Sequence, residues 1–146
     1  MDAERRRSAL NAEEKHLWRG FLKWSEAVSS AVGRDLAAET GLSGADFQIL
    51  ARLSEADDHR ILQKNIGGWL GWSATRLSHH LARMQERGLV ARESAGAGRL
   101  MAIILTDVGA RAYADAVPGH AAAVAEHFLA QLDAEARAVF LRLMAD

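Results

Sequence analysis

The stretch WSATRLSHHLARMQERG, residues 72–88, most constrains what this chain can fold into. It opens with Ser73, a good helix N-cap, and closes with Gly88, a residue suited to the position just after a helix. The residues between these two include no proline and no glycine. We therefore expect a self-contained helix of about four turns.

The two faces of this helix differ in chemistry. Leu77, Leu81 and Met84 recur at helical spacing and form an apolar face. The second face, called the basic face below, consists of Arg76, His79, His80, Arg83 and Arg87. A soluble helix usually mixes charge signs on its exposed side, whereas a helix that enters a DNA groove needs cations, imidazoles and small hydroxyls such as Thr75. An ordinary solvated surface helix remains the alternative interpretation.

The segments around this helix extend the pattern. A shorter helix is predicted over residues 63–70, and the Gly71-Trp72 turn joins it to the basic helix. Gly67 and Gly68 lie inside the shorter helix, where they either weaken it or permit close backbone packing. After the basic helix, LVARES and LMAIIL read as two short strands around a glycine-rich turn, and Ile61-Leu62 suggests a third. Two helices joined by a tight turn and followed by a β-hairpin form a winged helix-turn-helix.

Residues 42–111 resemble the winged-helix transcription regulators of the multiple-antibiotic-resistance (MarR) family. The matching segments are LSGADFQILARL, LQKNIGGWLGWSATRLSHHLARMQERGLV, the wing and LTDVGARAY. The resemblance implies a mainly α fold with a small β-hairpin wing, formed by one domain over residues 1–146. It further implies a winged helix-turn-helix over about 42–106 and dimerisation helices over about 10–40 and 107–146.

The resemblance also implies how such a protein would bind double-stranded DNA. Each basic helix would enter a major groove of a pseudo-palindromic operator, with half-site centres about 34–36 Å apart. The residues expected nearest base edges are Thr75, Arg76, His79 and His80. Those expected to hold phosphates are Lys64, Ser73, Arg83 and Arg87, and such contacts position the protein without specifying sequence.

The wing carries one further candidate. Arg99 lies seven residues before Thr106 and matches the wing arginine with which the family reaches the minor groove. Narrow, A·T-rich minor grooves attract such an inserted arginine. The sequence departs from the family pattern at Ala97, where an aspartate is usual, and the turn is about one residue short.

The net charge of the whole chain does not suggest a nucleic-acid-binding protein, but the distribution of charge along the chain does. The chain has 146 residues with 18 Lys and Arg against 19 Asp and Glu, a formal net charge of −1. Residues 60–99 nevertheless carry a net charge of +5, so the remainder carries −6. This asymmetry focuses positive potential on the predicted DNA-binding region.

Several other classes of function lack support in the sequence. There is no cysteine, which excludes disulfides and thiol-based sensing. The six histidines form no zinc-binding motif, and no nucleophile elbow, phosphate loop or dinucleotide fingerprint occurs, so we expect neither an enzyme nor a cofactor. The start lacks an apolar leader and no run is long enough to span a bilayer, so we expect a cytoplasmic protein without membrane contact.

The segments outside the winged region predict a homodimer. A long helix over residues 12–40 carries an apolar face too wide for its own core, and a final amphipathic helix follows Asp133. Symmetric dimerisation is the simplest way to cover both apolar faces. Between them, a helix beginning after Thr106 should be kinked or broken at Pro118.

The aromatic residues leave two interpretations open. They are core or dimer-contact residues, or they line a pocket where the dimer helices meet the winged domain. The resemblance implies that small, often aromatic or phenolic effectors bind in such a cleft. The candidate lining residues are Trp18, Phe21, Trp24 and His59.

Two alternatives to a DNA-binding regulator were weighed. A winged-helix module for protein–protein assembly should carry an apolar outer face on the second helix, which this sequence lacks. A ligand carrier or enzyme would need convergent ionisable residues, and the sequence shows none.

Overall fold

The computed structural model describes residues 8–96 and 98–145 and has a mainly α-helical architecture with a small sheet, as predicted. Ala97, where the wing departs from the family pattern, lies outside the described residues. The elements are, in chain order, α1 (Ala12–Thr40), α2 (Gly44–Glu55), β1 (Arg60–Leu62), α3 (Gln63–Leu70), α4 (Ala74–Glu86), β2 (Val90–Ser94), β3 (Met101–Leu105), α5 (Asp107–His127), a 3₁₀ turn (Leu129–Gln131) and α6 (Ala134–Leu143).

Capping side chains explain where the helices begin. The Ser73 hydroxyl accepts a hydrogen bond from the backbone N–H of Arg76 and caps α4. Ser43, Thr106 and Asp133 cap α2, α5 and α6 in the same way, and α5 and α6 begin after the residues predicted for them. Gly88 follows α4 with φ 75°, a left-handed conformation that glycine adopts without strain.

The three strands form one antiparallel sheet in the order β1-β3-β2. Arg60 pairs with Ile104 in one ladder, and Val90 pairs with Leu105 in the other. The suspected third strand is therefore present and joins the wing hairpin through its second strand.

The hydrophobic core holds the winged region to the long helices. Leu50 and Leu53 of α2, Leu81 and Met84 of α4 and Ile103 of β3 are buried together. Leu36 of α1 and Ala116 of α5 belong to the same cluster. Because one core spans both regions, the position of α4 is tied to that of α1 and α5.

Helix α5 corrects one expectation. It runs from Asp107 to His127 as one continuous helix, so of the kink or break predicted at Pro118 the break does not occur. A proline removes one N–H donor and crowds the carbonyl four residues earlier, but it does not remove the tertiary packing on either side. Here Ala116 and Ala123 are buried on both sides of Pro118, and this packing outweighs the lost hydrogen bond.

Helix α3 forms despite two features that weaken it. Leu62 stands at its N-cap and makes no capping hydrogen bond with its side chain. A Cβ added to Gly67 would lie 3.5 Å from Leu77 Cδ2, an ordinary contact, and one added to Gly68 would meet nothing within 4 Å. Close packing therefore requires neither glycine, and the remaining effect of both is a lower helix propensity.

In the part of the chain that the structure describes, no helix combines the length and hydropathy needed to cross a membrane.

Candidate nucleic-acid interface

Helix α4 presents most of its basic face to solvent. Its apolar residues Leu77, Leu81 and Met84 are buried in the core. The exposed predicted DNA contacts on this helix and its N-cap are Ser73, Thr75, Arg76, His79 and Arg83. The folded chain therefore carries hydroxyls, an imidazole and two guanidinium groups on one accessible surface.

Trp72 orients one of these cations. The guanidinium carbon of Arg76 lies 3.9 Å from the centre of the Trp72 ring, a cation–π contact. The Trp72 ring also meets His80 edge-on, with the ring centres 5.2 Å apart. Sequence reasoning assigned Trp72 to the core or a dimer contact and missed this role. The four-residue spacing between Trp72 and Arg76 was the signal that could have found it.

A cleft between α3, the start of α4 and the wing collects further candidates. It has a volume of about 440 Å³, and Lys64, Trp72 and Arg99 are among its lining residues. The fold thus brings Lys64 and Arg99 to the lining of one depression, although they lie far apart in the sequence. Both side chains are exposed. We call this depression the wing cleft.

Two predicted DNA contacts, His80 and Arg87, are held by the protein itself. His80 Nε2 lies 2.8 Å from Asp46 Oδ1, and the His80 side chain is only 12% exposed. Arg87 Nη1 donates to Asp46 Oδ2 at 2.7 Å, and Arg87 Nη2 donates to the carbonyl of Gly41. The prediction that His80 contacts a base edge therefore does not fit this structure, because its ring points to a buried carboxylate. Arg87 likewise has an intramolecular partner in place of a phosphate.

Burial on its own raises the pKa of Asp46, but its partners outweigh that effect. Hydrogen bonds with His80, Arg87 and the backbone N–H of Ser43 hold the Asp46 pKa well below the ordinary aspartate value. Asp46 is consequently a carboxylate at neutral pH and a permanent counter-charge for the two basic residues.

Two more cations of the +5 region have internal partners. Arg60 Nε pairs with Glu93 Oε1 at 3.2 Å. Arg92 donates to Gln63 Oε1 and to the Ser78 hydroxyl, which joins β2 to α3 and α4. The remaining cations of residues 60–99 are Lys64, Arg76, Arg83 and Arg99, and all four side chains are exposed. The accessible positive charge is therefore concentrated on α4 and the wing cleft.

A second cavity lies where α1, α2 and α5 meet, the location predicted for an effector pocket. This interhelical cleft has a volume of about 310 Å³. Its lining residues are Val28, Ser29, Val32, Gly33, Gly44, Gln48, His120, Val124 and Phe128. The lining combines an apolar surface with a few hydrogen-bonding groups, as small-molecule sites usually do.

None of the four predicted lining residues borders the interhelical cleft. Trp18 and Phe21 stack on each other with ring centres 5.9 Å apart, and both are exposed near the start of α1. Trp24 packs against Phe128 and Phe140, one turn before the cleft begins. His59 follows the C-terminal end of α2, whereas the α2 residues that line the cleft, Gly44 and Gln48, lie in its first half. The Nδ1 atom of His59 is 3.2 Å from the Leu53 carbonyl oxygen. The predicted lining residues therefore lie outside this cleft, and their role in effector binding stays a prediction.

His120 is the cleft residue with the most distinctive environment. Its ring stacks on Phe47 with ring centres 3.9 Å apart. Burial lowers the pKa of His120 from its ordinary value, which favours the neutral imidazole at pH 7. A neutral imidazole both donates and accepts hydrogen bonds, so His120 is suited to recognise a polar group of a ligand.

One cluster has the donor types of a metal site. The ligand atoms of Asp35, Glu126 and His127 lie within 4.8 Å of one another, and Asp35 and Glu126 are exposed. His127 Nε2 is 2.6 Å from Asp35 Oδ2, so these two residues already join α5 to α1. This contact accounts for the arrangement without a metal ion.

Apolar side chains remain exposed at both ends of the chain. Leu17, Trp18, Phe21 and Leu22 form a patch on α1. Leu141, Leu143 and Met144 form another at the end of α6. A monomer rarely leaves this much contiguous apolar surface in water, which favours burial in a second copy.

The chain matches no protein-family model and no curated protein sequence. Solved structures do match it. AbsC, a MarR family transcriptional regulator from Streptomyces coelicolor, is 27% identical with a TM-score of 0.83, over 94% of this chain and 93% of that one. Sco3205, a MarR family transcriptional regulator from the same organism solved in complex with DNA, is 27% identical with a TM-score of 0.85, over 94% and 87% of the two chains.

A more distant match shares the fold. CouR from Rhodococcus jostii RHA1, solved with p-coumaroyl-CoA bound, is 22% identical with a TM-score of 0.74, over 92% of this chain and 93% of that one. In all three matches the similarity covers the long terminal helices as well as the winged region.

Proposed function

We propose that the chain is a MarR family winged-helix transcriptional regulator and acts as a homodimeric repressor of a pseudo-palindromic operator. The observation that carries this proposal is the exposed, cationic surface formed by α4 and the wing cleft. It supports double-stranded DNA as the partner, as does the DNA complex of Sco3205. A dimer of this size needs only to occupy its operator to block other proteins, so repression is the simpler mode of regulation.

Helix α4 enters the major groove in this proposal. Thr75, Arg76 and His79 face base edges, and Arg76 is the principal reader because the stack on Trp72 limits its conformations. Ser73, Lys64 and Arg83 contact phosphates on either side of the groove. Arg99 reaches the adjacent minor groove from the wing. The contacts of His80 and Arg87 with Asp46 remove these two residues from the proposed set.

Dimerisation supplies the second recognition helix. The apolar patches of α1 and α6 lie near the two ends of the chain, as a two-fold interface formed by terminal helices requires. Two α4 helices related by this axis would bind two half-sites about 34–36 Å apart. A protein with this role acts where the chromosome is, which favours a cytoplasmic location.

The interhelical cleft is the proposed effector site. Its valines and Phe128 suit a small aromatic or phenolic body, and Ser29, Gln48 and His120 offer hydrogen bonds to polar substituents. Such a ligand changes DNA affinity only if it binds one arrangement of the recognition helices better than the other. The proposed lining differs from the one predicted from the sequence.

The salt dependence of DNA binding tests this function. The purified protein is titrated into labelled random-sequence duplex DNA at several salt concentrations, in parallel with Arg83→Ala and with the control Arg34→Ala, which removes an exposed cation of α1. We expect log Kd to rise linearly with the logarithm of the salt concentration. The slope should be about 0.9 smaller for Arg83→Ala than for wild type, because one phosphate contact is lost, and it should be unchanged for Arg34→Ala. A wild-type protein that binds no duplex at low salt would instead favour a protein-assembly role for the winged domain.

A further inference from the structure

We propose that Asp46 is a positioning residue for sequence-specific DNA binding, because its buried carboxylate fixes the orientation of the recognition helix α4. This inference rests on the proposed function and concerns a residue of α2 that faces no solvent and touches no DNA. Asp46 is 2% exposed and is the buried charged residue of the described chain.

The Asp46 carboxylate joins two elements through three contacts. Oδ2 accepts a hydrogen bond from the backbone N–H of Ser43, which completes the cap of α2. The same oxygen accepts from Arg87 Nη1 at 2.7 Å, and Oδ1 lies 2.8 Å from His80 Nε2. The charge that caps α2 is therefore also the charge that holds α4.

The positions of the two α4 contacts explain why they set an orientation. His80 lies in the middle of the helix and Arg87 at its C-cap, so the backbone positions that carry these side chains are about 10 Å apart along the axis, while both side chains end on the one carboxylate. Because one buried group of α2 holds side chains from two separate turns, it restricts the rotation of α4 about its axis and its movement along that axis. Arg87 adds a second bond, from Nη2 to the Gly41 carbonyl at the end of α1, which extends the connection to a proposed dimerisation helix.

This arrangement has opposite consequences for two kinds of DNA binding. Base readout requires side chains held at fixed positions, so a loosened α4 should lose affinity for its specific site. Attraction to phosphates requires only positive charge, and it should increase when Asp46 no longer neutralises Arg87. A residue that merely stabilises the fold would lower both affinities together.

The test compares Asp46→Asn with Asp57→Asn, an exposed carboxylate in the turn after α2 that provides the same change of charge. The probes are the duplex that the wild-type protein enriches from a random library and a scrambled duplex, at one fixed salt concentration. In Asp46→Asn we expect the ratio of specific to non-specific affinity to fall about tenfold, while affinity for the scrambled duplex rises. An unchanged ratio, or two affinities that fall by the same factor, would overturn the proposal.

A second variant decides the question if Asp46→Asn does not fold. Arg87→Gln removes one contact and leaves Asp46 with His80 and the Ser43 N–H. If Arg87 positions α4, the variant lowers the specific affinity more than the non-specific one. If Arg87 instead holds a phosphate, both affinities fall equally and the proposal is contradicted.

Hydrogen–deuterium exchange separates this proposal from the proposed function, because it needs no DNA. Exchange of the backbone amides over residues 78–87 should be about tenfold faster in Asp46→Asn than in wild type or in Asp57→Asn. Equal exchange in all three proteins would show that Asp46 does not hold the helix. A wild-type protein that enriches no duplex would defeat the proposed function and leave this measurement unaffected.

Discussion

At the residue scale, the contact with Trp72 limits the conformations of the Arg76 side chain on the recognition helix. We predict that Trp72→Leu weakens binding to the selected duplex about fivefold, because a cation–π contact of this kind contributes about 1 kcal/mol. Competition binding measures the change. Trp69→Leu is the matched control, since Trp69 also contacts an arginine, at 5.3 Å, but that partner is Arg52 of α2 and not a residue of α4. Equal losses in both variants would argue against an orienting role for Trp72.

Asp46 gives a prediction about pH. Its pKa in the folded protein lies below that in the unfolded chain, so its contribution to stability is complete at pH above about 4 and is lost as pH falls towards the folded pKa. The difference in unfolding free energy between wild type and Asp46→Asn should be constant near neutrality. It should shrink by about 1 kcal/mol per pH unit below pH 4. Urea denaturation at pH 7 and pH 3 measures it, and a difference unaffected by pH would contradict the assigned contacts.

At the element scale, two glycines with different surroundings predict opposite effects of the same substitution. Gly68→Ala should raise the free energy of unfolding by about 0.5–1 kcal/mol, because the added Cβ of α3 meets nothing within 4 Å. Gly109→Ala should lower it by about 2 kcal/mol, because a Cβ there would lie 2.0 Å from the Leu89 carbonyl oxygen and the backbone of α5 would have to move. Thermal or urea unfolding of both variants tests the pair. If both substitutions changed the free energy of unfolding in the same direction, the different surroundings of the two glycines would not explain their effects.

The elements were largely predictable because their determinants are local. Ser43, Ser73 and Thr106 lie next to the helices that they cap, and the strands around the wing turn follow a short-range pattern. The continuity of α5 through Pro118 was not predictable, because it depends on neighbours that pack from elsewhere in the chain. The same reason explains why helical spacing placed His80 on the basic face and could not reveal Asp46 beside it.

The candidate sites differed in how far the sequence could define them. Most DNA-contact candidates lie on one helix, where spacing alone determines which residues share a face. The interhelical cleft is formed by three helices, and its lining depends on how the helices are placed along one another. Trp18 and Phe21 have the chemistry of an aromatic pocket, but Val28 and Val32 occupy the turns of α1 that line this cleft.

At the scale of the whole molecule, the terminal apolar patches predict a dimer. Trp18 on α1 is 53% exposed in the single chain and stacks on exposed Phe21. Trp18→Glu should therefore shift the protein from dimer to monomer in sedimentation equilibrium, with a loss of operator affinity. Val108→Glu changes a side chain of similar exposure, 47%, at the start of α5 and should leave the dimer intact. A wild-type monomer, or a Trp18→Glu dimer of undiminished stability, would contradict this interface.

In the proposed complex, two symmetry-related α4 helices read DNA sequence through Arg76. Selection of bound sequences from random duplex DNA at fixed salt tests it most directly, with Arg76→Ala and the control Arg34→Ala carried through the same selection. Wild type and Arg34→Ala should enrich one inverted repeat with half-sites about one helical turn apart, and Arg76→Ala should lose the conserved base pairs that this side chain reads. An identical motif from all three proteins, or no enrichment by the wild type, would contradict the account.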